Sequence, residues 1–247
     1  MSATVIRLAD ADALAGAMAD RFAHAAEEAV AARGVFSVAL AGGTTPSAAY
    51  ALLAGPAYAE RVPWAQSQVF WGDERPVPPD HPDSNYRMAH QALLSRVAVP
   101  ATNIHRMRGE AQDLETAAGE YASELAQVFD LRPGGLPPRF DLVLLGMGPE
   151  GHTASLFPDS PALGSTRWVE APFVPQLGMR RITLTPLVLN AARLVVFGVG
   201  GKGKAQALAA VLKGPRQPER FPAQVIHPEN GDVAWLVEQA LADAAGC

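Results

Sequence analysis

Short apolar runs alternate along this chain with longer stretches in which apolar positions recur every three or four residues. "TVIRL" (4–8), "VFSVAL" (35–40), "QVFWG" (68–72), "FDLVLLG" (140–146), "RRITLT" (180–185), "RLVVFGVG" (193–200) and "DVAWLV" (232–237) have the length and composition of strands. Between the first two, Leu14, Met18 and Phe22 repeat at four-residue spacing in an alanine-rich helix. Asp10 or Asp12 is suited to cap its start and Gly34 to end it. Further helices are expected after "AGGTTP", from near Ser84, over about 112 to 131, after "GKGK" and at the C-terminus, with "RPGGLPP" (132–138) as a loop. Several strands are apolar throughout and alternate with helices, which predicts a mostly parallel sheet covered on both faces. The expectation is a single Rossmann-like α/β domain spanning 1–247.

Composition narrows the function. The chain has 247 residues and a net charge of −5, which gives no basic footprint for nucleic acid. No stretch approaches the roughly 20 uninterrupted apolar residues of a membrane span. Cys247 is the single cysteine, so no intrachain disulfide framework is possible, and a cytoplasmic location is expected. Oligomeric state is not readable from the pattern.

The polar residues that matter fall just after strands, where open α/β sheets bind ligands. "GGTTP" follows 35–40: Gly42 and Gly43 permit close backbone approach, and Thr44 and Thr45 add hydroxyls near a helix N-terminus that suits an anion. An ordinary threonine-capped turn has the same shape. "GGKGK" follows 193–199 and places Lys202 and Lys204 at the start of a helix, against its dipole unless an anion is bound. "GDER" follows 68–71, and Arg75 can grip a phosphate with two parallel N–H groups. Asp80, His81 and Asp83 match no metal-ligand spacing, and no metal is expected. In "GMGPEGH", Glu150 and His152 lie two apart in a glycine-rich turn, where a carboxylate can fix an imidazole for general-base work; Asp73 is an alternative partner. Gly146, Gly148 and Gly151 would let this turn pass close to a ligand, with Pro158 as a helix stop. Ser155 lacks the elbow motif of a serine hydrolase.

Four stretches in order, "LAGGTTPSAAY", "FWGDERPVPPDHPDSNY", "FDLVLLGMGPEGHTASLFP" and "GVGGKGKAQAL", resemble the 6-phosphogluconolactonases of the pentose phosphate pathway, from about residue 10 to the C-terminus. The wider superfamily includes glucosamine-6-phosphate deaminases and, more distantly, ribose-5-phosphate isomerases. The resemblance implies hydrolysis of a phosphosugar lactone without a cofactor. It implies phosphate contacts from Thr44, Thr45, Arg75 and Lys204, a further substrate-edge arginine at Arg181, and His152 handling the proton. Two positions stand out. Glu150 replaces the family's usual aspartate, and Phe157 occupies the place of a deaminase carboxylate, since deaminases read "GHIAFNEP" where this chain reads "GHTASLFP". A deaminase-like isomerase and a non-catalytic sugar-phosphate sensor are the alternatives.

Overall fold

The computed structural model describes residues 4–132 and 134–247. Six strands form one sheet: β1 (Thr4–Leu8), β2 (Phe36–Leu40), β3 (Ser67–Trp71), β4 (Leu142–Leu145), β5 (Leu194–Val199) and β6 (Asp232–Glu238). Their spatial order is β1-β6-β5-β4-β2-β3, and every neighbouring pair is parallel. The chain leaves β1 at one edge, crosses to β2, steps outward to β3, and returns past β2 to lay down β4, β5 and β6. The order therefore reverses between β2 and β4, which opens a crevice beyond their carboxyl ends.

Burial on both faces explains the uninterrupted apolar strands. In β4, Leu142 and Leu144 join one core cluster while Val143 and Leu145 join the other. Helices α1 (Ala11–Arg33) and α2 (Thr44–Leu53) cover the first face; α3 (Leu114–Val128), α4 (Ala205–Lys213) and α5 (Gln239–Ala245) cover the second. The inward side of α1 includes Ala15, Ala19, Ala23 and Ala26, whose small side chains let the helix lie close to the sheet. Its cap is Asp10, which accepts from Ala13 N–H at 2.8 Å, and Gly34 ends it at φ 75 with its N–H on Val30 O.

Two expectations are corrected. "RRITLT" does not join the parallel sheet: Ile182–Leu184 pairs antiparallel with Asp73–Glu74 and with Val169–Glu170 in a separate three-stranded sheet. All three residues of 182–184 are buried, a pattern that reads in sequence like a parallel core strand. Asp73–Glu74 is thereby a short strand, although its polar composition resembles a loop. The turn after β4 forms no helix before Ser160, so Pro158 stops none; the chain there is held by isolated turns such as Leu156 N–H to Thr153 O at 2.9 Å. No described helix is long and apolar enough to cross a membrane.

Candidate active site

Four strand ends meet at the crevice, each fixed by a polar contact. After β2, the Tyr50 hydroxyl donates to Ala41 O and accepts from Ala41 N–H, both at 3.0 Å, and so pins the start of the "GGTTP" turn to α2. Burial pushes the phenol well above its ordinary range, so it serves as a neutral clamp. Tyr121 does the same for Trp71 at the end of β3, accepting from its N–H at 2.9 Å and donating to its carbonyl at 3.2 Å. Gly42 packs against Asn85, and a Cβ there would overlap the Asn85 amide.

Glu74 organises the segment after β3. Its carboxylate accepts from the N–H groups of Arg75, Asn85 and Tyr86, each at 2.8 Å, and from Ser84 Oγ at 3.0 Å. Burial raises its pKa, opposed by the backbone N–H groups of Tyr86, Arg75 and Asn85. Ser84 caps the turn Asn85–Ala89, which passes directly into the π-helical turn His90–Leu94. Asp73 is held from two sides, by Ser155 Oγ at 2.6 Å and by the Asn85 amide at 3.3 Å. Ser155 is buried and donates its proton to this carboxylate, which gives it a supporting place in the site.

After β4 the chain doubles back on itself. Gly148 N–H donates to His152 O at 2.9 Å, and Thr153 Oγ1 donates to Gly146 O at 2.8 Å. This brings His152 Nδ1 within 2.9 Å of Glu150 Oε1. The contact is close but is not a directed hydrogen bond, and Nδ1 is buried without a hydrogen-bond partner among the described residues. The imidazole stacks on Phe157 at 4.1 Å between centroids. At the ring's Cε1 and Nδ1 atoms, Gly148 is so close that a Cβ would overlap them. Glu150, despite its extra methylene, is the carboxylate at Nδ1; Asp73 is engaged by Ser155 and Asn85.

After β5, Glu238 at the end of β6 accepts from Gly201 N–H at 3.1 Å and holds the glycine turn. Lys204 stands at the N-cap of α4, half-buried, while Lys202 is exposed and does not line the crevice. Burial lowers the Lys204 pKa, partly offset by Glu238.

The crevice has a volume of about 240 Å³. Gly42, Gly43, Thr44, Thr45, Asp73, Arg75, Gly148, His152 and Lys204 are among the residues that line it. Arg75 also donates to Asp83 O, which ties its guanidinium to the loop before Ser84. Arg181 lies outside the lining; it is lowered in pKa first by burial and then by the nearby Arg75 charge, with Asp73, Glu74 and Asp83 opposing. Sequence reasoning missed Tyr50, Tyr121, Asn85 and Glu238. Tyr50 and Asn85 lay inside stretches that drew attention for other residues, whereas Tyr121 and Glu238 arrive from remote elements and left no local signal.

A crevice at the switch point of a parallel sheet, lined by Thr44, Arg75, His152 and Lys204, is the ligand-binding arrangement of a Rossmann-like α/β protein. The chain belongs to the glucosamine-6-phosphate isomerase/6-phosphogluconolactonase family, whose model matches residues 9–235. It is 45% identical over 213 residues to a 6-phosphogluconolactonase of Synechocystis sp., covering 86% of this chain and 85% of that one. It is 42% identical over 249 residues to the Mycobacterium tuberculosis 6-phosphogluconolactonase, covering 98% of each. Among solved structures, 6-phosphogluconolactonase from Trypanosoma cruzi superposes with a TM-score of 0.86 at 28% identity, covering 100% of this chain and 99% of that one.

Proposed function

We propose that this chain is a 6-phosphogluconolactonase that hydrolyses 6-phosphoglucono-1,5-lactone to 6-phosphogluconate in the oxidative pentose phosphate pathway, in the cytoplasm. The carrying observation is His152, with Glu150 at its Nδ1, on the wall of a crevice that Arg75 and Lys204 also line. In this reading the phosphate sits among Thr44, Thr45, Arg75 and Lys204, and Arg181 adds positive charge beside Arg75. With Nδ1 facing the Glu150 carboxylate at 2.9 Å, Nε2 is the nitrogen that acts as the base. His152 takes a proton from water as the water oxygen bonds to the lactone carbonyl carbon. The ester bond to the ring oxygen then breaks, and His152 returns the proton to that oxygen. Water is the nucleophile, so the chemistry calls for no cofactor.

Phe157 favours this reaction over the aminosugar isomerisation also found in the family. Moving a proton between adjacent carbons and opening a ring needs further acid–base groups, and at this position an apolar ring packs against the imidazole instead. The test is coupled detection of 6-phosphogluconate from freshly generated lactone, with spontaneous opening subtracted. His152→Ala should lower kcat by about 10²- to 10⁴-fold, the usual contribution of a positioned general base. A folded His152→Ala protein with near-normal turnover would sink the assignment.

A further inference from the structure

The opposite, amino-terminal edge of the sheet holds a second and larger cavity, about 1100 Å³ in volume. Three arginines line it: Arg33 from the end of α1, Arg193 immediately before β5, and Arg139 two residues before Asp141. The buried carboxylate among them, Asp141, is already satisfied. Its Oδ2 accepts from Ser37 N–H at 2.8 Å and Ser37 Oγ at 2.9 Å, and its Oδ1 accepts from Arg33 Nε at 3.1 Å and Nη2 at 2.8 Å. Arg193 Nε approaches the same Oδ1 at 3.3 Å, yet it is buried without a hydrogen-bond partner among the described residues. Arg139 donates one N–H to Asn230 O. The remaining acid of the lining, Glu229, is exposed at the rim and forms no ion pair among the described residues.

Arg139 thus faces the cavity with no carboxylate partner among the described residues, and Arg193 only shares Asp141 with Arg33, in a chain whose net charge is −5. The pKa of Arg193 is lowered by burial first and then by the charges of Arg139 and Arg33, against the pull of Asp141. Repulsion of that kind is relieved when an anion enters. The cavity also has an apolar side, where Leu136 is 81% exposed and Val35 and Leu187 are 40% and 37% exposed. Exposed aliphatic side chains beside paired guanidinium forks suit a ligand with both an anionic head and an apolar body.

We propose that this amino-edge cavity is a second binding site, separate from the lactone crevice, for a phosphate monoester that carries an apolar or aromatic body. A phosphate monoester brings close to two negative charges at neutral pH, matching Arg139 and Arg193, and offers oxygens to both planar forks.

The test is isothermal titration of phenyl phosphate and, separately, inorganic phosphate into wild-type protein and into Lys204→Ala, which removes a cation from the crevice at the other edge. Saturable binding of phenyl phosphate should persist in Lys204→Ala, and phenyl phosphate should bind more tightly than inorganic phosphate. Arg139→Gln/Arg193→Gln, which leaves the Arg33–Asp141 pair intact, should weaken it at least tenfold. Leu136→Asp alters an exposed loop side chain with little risk to folding and should also weaken phenyl phosphate. No saturable binding in Lys204→Ala, or unchanged affinity in the arginine double variant, overturns the proposal. Should the double variant fail to fold, Leu136→Asp decides alone: weakened binding supports the site and unchanged binding overturns it. Equal affinity for the two probes overturns the apolar part of the assignment.

Discussion

His152 is held between two neighbours of opposite character, Phe157 stacked on one face and the bare Cα of Gly148 on another side. The ring's position is therefore set by shape as much as by the contact with Glu150. Gly148→Ala has no room unless the imidazole or the turn shifts, because its Cβ would overlap the ring. A displacement of about 1 Å at a reacting group can cost on the order of 10²-fold in rate. The expected result is a folded protein with unchanged far-ultraviolet circular dichroism and lactone turnover reduced at least tenfold. Full turnover in Gly148→Ala would show that the ring's place is not critical. Glu150 and His152 were legible from spacing alone, since two residues in a tight turn must stay near each other. The stacking of Phe157 depends on how the following turns fold back, which spacing does not specify.

At the scale of elements, the segment from β3 to the turn at Asn85–Ala89 is organised by Glu74, one of the three consecutive charges of "GDER". Four donors converge on its carboxylate, linking the backbone of Arg75 to the turn that carries Asn85. Glu74→Gln supplies only one acceptor oxygen and aims an amide N–H₂ at donors, so a loss of about 1–3 kcal/mol is expected. The charge itself has the opposite sign of effect. Burial holds the folded carboxyl above its unfolded value, so the folded state binds the proton more tightly, and stability from this group falls as pH rises between the two values. Thermal unfolding of wild type and Glu74→Gln should therefore show the smallest deficit for the variant at the upper end of that window. A deficit that grows with pH through the window would contradict the sign. Kinetics should show KM raised through the displaced Arg75 more than kcat lowered.

At the scale of the whole molecule, four strand ends from opposite sides of the switch point contribute to one crevice, so ligand binding and global stability are linked. Lys204 carries an electrostatic cost. Burial lowers its pKa, and it sits at the positive end of α4. Below its folded pKa the charged lysine detracts from stability, and the penalty disappears as pH climbs toward the unfolded value. Lys204→Ala should raise the Tm of the ligand-free protein at neutral pH, by an amount corresponding to about 0.3–1 kcal/mol from the dipole. A ligand at one hundred times its Kd adds about 2.7 kcal/mol to the folded state. 6-Phosphogluconate should accordingly raise the Tm of wild type, with a much smaller rise in Lys204→Ala at the same concentration. A lower ligand-free Tm, or an undiminished ligand shift, would remove Lys204 from the phosphate end.

By itself, the sequence determined the α/β class, a mostly parallel sheet in which six of the seven expected strands take part, the Asp10-or-Asp12 start and Gly34 end of α1, and the four strand ends that carry polar residues. These are consequences of local periodicity and of turn chemistry, which depend on residues close together in the chain. The tertiary structure decided what local pattern cannot: that Ile182–Leu184 pairs antiparallel in its own small sheet, that Asp10 is the cap, that Lys204 and not Lys202 lines the crevice, and that Glu150 and not Asp73 meets His152. It also brought Tyr50, Tyr121, Asn85 and Glu238 to the backbone turns they hold. Strand partners and side-chain contacts across tens of residues are chosen by packing and by the need to satisfy buried donors and acceptors, and those choices exist only once the chain is folded.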